Sequence, residues 1–90
     1  MISKSYQYFS EAIDLMVNSE TLIQERVMDA YHTYIKHVSA EELPAEAQYL
    51  FKFFKRCMEP SILKEDIDSH DARQIAKVIL FITDEVKKGQ

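Results

Sequence analysis

The sequence predicts an all-α fold: a small antiparallel bundle of three or four helices, with residues 1–90 forming one domain. Three observations predict it. Apolar residues recur three and four apart through most of the chain, the spacing of a helix face. There is one glycine and there are two prolines, too few for the tight turns that a β-rich chain of 90 residues needs. The composition, 47% hydrophobic and 29% charged, suits a helical core with a wet exterior.

The first apolar series is Tyr6, Phe9, Ile13, Met16 and Val17, which share one face opposite Glu11 and Asp14 at about 100° per residue. After Asn18–Thr21 a second series runs Ile23, Val27, Ala30, Tyr31, Tyr34, Ile35 and Val38, set against Glu25, Asp29, His32 and Lys36. Two readings stand open. Thr21 and Gln24 have capping-box spacing, and Asn18 or Ser19 also suits a cap, which argues for a break near Asn18–Glu20. Both series keep one helical phase, which argues for a single helix over residues 5–38, a rod of about 50 Å. Such a rod overhangs any partner within so short a chain, and this tips the reading towards a break.

In VSAEELPAEAQ, Ser39 and Glu42 have the spacing for a capped single turn, and Pro44 suits the first position of a helix, where its missing N–H is not needed. A third helix is expected from about Pro44 to Met58, ended by Pro60. In the polar connection EPSILKEDIDSHD, Ile62, Leu63 and Ile67 are expected to tuck under the bundle. Asp68 or Ser69 caps the last helix, which has Asp71 in its first turn and Lys87 and Lys88 in its last, as the helix dipole favours. Its stripe is Ala72, Ile75, Ile79, Ile82 and Val86, with Leu80 and Phe81 on opposite flanks outside it. A helix so apolar around its middle is central to its bundle or covered by another subunit.

Charge and composition limit the functions to consider. The net charge is −4. Residues 1–48 carry three basic and eight acidic groups, and residues 49–90 carry eight basic and seven acidic. An acidic chain is a poor ligand for phosphate backbones, so nucleic acid is not an expected partner. Around the stretch YLFKFFKRCM, Tyr49 to Met58, the helical wheel places Leu43, Ala47, Leu50, Phe51, Phe53, Phe54, Cys57 and Met58 on an arc of about 160°, with Lys52, Lys55 and Arg56 opposite. Aromatics and cations then point apart, unlike the shared groove of a single-strand binder. Glu59 lies within pairing distance of Lys55 and Arg56 along the helix. The basic trio remains a candidate patch for an acidic protein partner.

A single cysteine, Cys57, forms no internal disulfide, and a reducing, cytoplasmic setting is the expectation; on the apolar arc its thiol is expected to be buried and inert. The N-terminal stretch MISKSYQYFSEAIDL has no continuous apolar region, so no signal peptide is expected, and the run VILFI is far too short to span a bilayer. Asp29 and His32 have the acid-x-x-His spacing of carboxylate-bridged metal bundles, and with Glu25 they are the candidate metal face; the spacing occurs once, and Lys36 would repel a cation there. His32 and His37, about 140° apart on an intact helix, cannot share an ion. No glycine-rich loop, nucleophile elbow or zinc signature is present, and no catalytic residue, cofactor or bound metal is expected. The expected protein is a small, soluble, non-enzymatic interaction or regulatory protein that forms a homodimer, with another protein as a further candidate partner. Its expected contact residues are Leu80 and Phe81, with Tyr8 and Leu15 also outside their helix's stripe. The alternative is a metal-binding bundle or metal-dependent enzyme using Glu25, Asp29 and His32.

Overall fold

A computed structural model describes residues 4–89; Met1–Ser3, part of the stretch assessed above for a signal peptide, and Gln90 lie outside the described residues. All regular structure among the described residues is helical: α1 (Lys4–Asn18), α2 (Ile23–Thr33), α3 (Ala45–Cys57), α4 (Glu59–Leu63) and α5 (Ser69–Lys88). Two 3-10 turns, Ile35–His37 and Ala40–Glu42, join α2 to α3.

The last helix is the hub, packing against α1, α2 and α3. It buries Ala72, Ile75, Ile79, Ile82 and Val86, the stripe read from the sequence, and also Thr83. The Thr83 hydroxyl donates to the Ile79 carbonyl at 2.7 Å, so it enters the core with its polar atom satisfied. Phe9 of α1 meets Phe51 of α3 edge-on at 5.9 Å, and Phe51 stacks on Phe54 at 6.0 Å. All three rings are fully buried, and each such ring stabilises the fold by about 2–3 kcal/mol.

The first helix buries Ser5, Phe9, Ala12 and Met16. Tyr6 and Ile13 are only partly buried and Val17 points into solvent, so the buried face is rotated from the expected one. Ser5 and Ala12 are small, and that side lets a neighbouring helix approach closely enough to pack.

The chain does break between α1 and α2, at Ser19–Leu22, but not through a capping box: Leu22 precedes α2 with no side-chain cap. The side chain of Arg26 does the work, its Nε donating to the Thr21 carbonyl at 2.9 Å and its Nη1 to the Met16 carbonyl at 3.1 Å. One guanidinium thus satisfies a carbonyl in the last turn of α1 and another in the loop. The second helix ends at Thr33 instead of continuing to Val38. Tyr34, at φ −124°, turns the chain into the 3-10 turn, yet Ile35 and Val38 remain buried.

The Ala40–Glu42 turn forms where expected, with the Ser39 hydroxyl donating to the Glu41 carboxylate and not acting through Glu42. Pro44 precedes α3 instead of opening it, and the Gln48 side chain donates to the Leu43 carbonyl at 2.7 Å across that start. At the far end Pro60 falls in the first turn of α4, a position that needs no N–H. Ile62 is fully buried and Ile67 partly so, but Leu63 faces solvent, because a single turn presents only one side to the core. Helix α4 closes as a Schellman motif, with Asp66 N–H donating to the Ser61 carbonyl and Glu65 N–H to the Ile62 carbonyl, each at 3.0 Å. Glu65 holds the left-handed position at φ 55° where glycine is usual. Asp68 then caps α5, accepting from the Asp71 N–H at 2.8 Å.

Pro44, at the head of α3, lies against Gly89 at the foot of α5: a Cβ on Gly89 would come within 2.6 Å of the Pro44 ring. At the other end of α3, Cys57 and Met58 line a hollow with Asp71, Gln74 and Ile75 from the start of α5.

Candidate interaction surface

That hollow, of about 210 Å³, opens at one end of the seam between α3 and α5. Along α5 from Gln74, the following turns bring Val78 and Phe81 to the same side. Back along α3 from Cys57, they bring Phe53 and Leu50. Val78 and Leu50 pack partly against the core, whereas Phe53 is 39% exposed and Phe81 60% exposed. The seam is therefore an open apolar strip. On the other flank of α5, Leu80 is 47% exposed, and Lys77 and Asp84 stand exposed on the ridge between the flanks.

The expected burial of Phe53 and Cys57 does not occur, and Cys57 is an exposed thiol. Helix α3 packs mainly along α5 and buries only Ala47, Phe51 and Phe54, a narrower arc than the apolar spacing implied. Tyr49, 78% exposed, stands one turn before Phe53. Lys52 and Arg56 adjoin this pair on the wheel, so aromatics and cations share part of the outer face. Lys55 is also exposed, its Nζ lying 5.2 Å from the centre of the Phe51 ring. Glu59 is not the partner of these cations: it accepts the hydroxyl of Tyr31. The basic residues instead act on Glu41, whose carboxyl is held below its usual range first by the Ser39 hydroxyl, then by its own backbone N–H, with Lys52 and Lys55 adding.

Tyr8 and Leu15 lie elsewhere. The half-buried Tyr8 ring sits 6.2 Å from His37 and 5.9 Å from the Lys4 ammonium. Leu15 lines a second hollow with Glu11, Asp14, Asn18 and Tyr34. The four residues expected to make contacts thus occupy two surfaces, one on α5 and one where α1 meets the Ile35–His37 turn.

Glu25 and Asp29 are exposed, and the half-buried His32 meets the Tyr31 ring edge-on at 5.2 Å. Among the described residues no group of three His, Cys, Asp or Glu side chains is placed to hold a metal ion. His37, beyond the end of α2, no longer shares a helix with His32. The Tyr31 hydroxyl is pushed well above its ordinary value, first by burial and then by its hydrogen bond to Glu59 and the charge there. No helix among the described residues is long and apolar enough to cross a membrane. Comparison with known proteins finds no matching family model, no matching curated protein and no matching solved structure.

Periodicity misses the exposure of Phe53 and Tyr49, although the sequence carries a signal for it. A helix with one long neighbour buries an arc narrower than 160° of apolar spacing, and the surplus faces outward.

Proposed function

We propose that this chain is a small, non-enzymatic interaction protein that works through helix contacts and binds a second copy of itself. A single observation carries the reading: Leu80 and Phe81, 47% and 60% exposed, flank the outer ridge of the helix that also organises the core. A helix face turned to solvent ordinarily carries polar groups, and large apolar side chains exposed on both flanks of a charged ridge mark a contact site. The cytoplasmic setting expected from the lone Cys57 belongs to the same proposal. So does the antiparallel bundle, supported by Pro44 lying at Gly89 and by the shared hollow at the opposite ends of α3 and α5.

The test is the mass in solution of the purified chain and of a Leu80→Glu, Phe81→Glu double variant, measured by sedimentation or native mass spectrometry alongside circular dichroism. The expected result is a dimer for the parent chain and a monomer of unchanged helicity for the variant. A parent chain that stays monomeric overturns the proposal, and a variant that loses its helicity assigns these residues to the core.

A further inference from the structure

We infer that the second copy docks α5 against α5 in antiparallel register, about a two-fold axis passing between Leu80 and Phe81. This rests on the self-association proposed above and specifies its geometry. The ridge of α5 is symmetric about that point. Lys77 lies three residues before Leu80 and Asp84 three residues after Phe81. Seven residues is close to two turns, so the two charges stand on one line along the helix, about 20° apart in projection. Leu80 and Phe81 flank that line at about 50° on either side. A two-fold axis perpendicular to the helix therefore sets Lys77 of each copy level with Asp84 of the other, giving two opposite-charge pairs that bracket four apolar side chains.

The charges choose the direction. In a parallel pairing Lys77 would face Lys77 and Asp84 would face Asp84, two repulsions in place of two attractions. Both side chains are exposed, and among the described residues neither has an ion-pair partner. At the rim the same operation brings Arg73 near Lys88, but Lys88 is already bonded to Glu85 at 3.1 Å, which offsets its charge. A standard interface takes about 800 Å² from each partner, more than one helix ridge supplies. The axis places the α3 flanks of both copies on the same side, so the exposed Phe53 of each extends the contact beyond the ridge.

Two single charge reversals and their mixture test this register. Lys77→Glu and Asp84→Lys are each expected to raise the dimer dissociation constant by about tenfold or more, because each converts both pairs to repulsions. An equimolar mixture of the two variants is expected to form a heterodimer of parental affinity, since every introduced charge then faces its opposite. That rescue also shows that both variants fold. A dimeric parent with unaffected single variants, or with variants that do not rescue each other, overturns this register and leaves self-association standing. A parent chain that is monomeric at every concentration overturns both.

Discussion

Two corners of the chain reverse its direction by different means. The α1–α2 corner, Ser19–Leu22, has no fully buried residue and is held by Arg26, which reaches from α2 to the Met16 and Thr21 carbonyls. The corner between α3 and α5 is anchored by burial of Ile62, closed by the Schellman motif at Glu65 and restarted by the Asp68 cap. It is also tied to α2 by the Tyr31–Glu59 hydrogen bond. A corner made by burial and local capping shares its load among many groups. A corner made by one long side chain concentrates it.

The largest effect is expected at the second corner. Ile62→Ala removes most of a fully buried side chain and is expected to cost about 3 kcal/mol, read as a lower midpoint in denaturant unfolding. At the first corner Arg26→Ala is expected to cost about 1–2 kcal/mol, because charged hydrogen bonds to two carbonyls are lost at a partly exposed site. Arg26→Lys should recover little of it, since an ammonium lacks the fork that serves both carbonyls. If Arg26→Ala proves costlier than Ile62→Ala, the ranking of the two corners reverses.

The smallest effect lies in the link between them. The folded chain keeps the Tyr31 proton where an unfolded tyrosine, with its ordinary value near 10, releases it. The folded state then binds more protons than the unfolded, so this contribution to stability is full below about pH 10 and is lost as the pH rises above it. Tyr31→Phe should make the alkaline fall in stability shallower, as measured by unfolding midpoints at a series of pH values. An unchanged slope would show that this hydroxyl is not shielded as its burial implies.

The same contrast explains what the sequence made legible. The α5 stripe and the Asp68 cap were readable because period and capping are local rules, each written within a few consecutive positions. The break near residue 19 was readable only through a length argument, because the latch that makes it is a side chain bonding backbone in another helix, which leaves no periodic trace. Phase alone could not show the change at Tyr34, since a short 3-10 turn keeps Ile35 and Val38 pointing inward. Apolar spacing on α3 was real, but how much of it is covered depends on its neighbours. Spacing alone therefore assigns Phe53 and Cys57 to the core, whereas both lie on the surface. The apolar flanks of α5 are legible as residues outside a stripe, whereas their relation to Lys77 and Asp84 depends on both charges being exposed and having no ion-pair partner among the described residues.

The central place of α5 bears on how the molecule opens. Helices α1, α2 and α3 all rest on it, so each loses part of the cover over its buried face once α5 detaches. Opening that releases α5 disturbs three interfaces at once, and the amide protons of its middle turns should therefore be among the slowest in the chain to exchange with solvent.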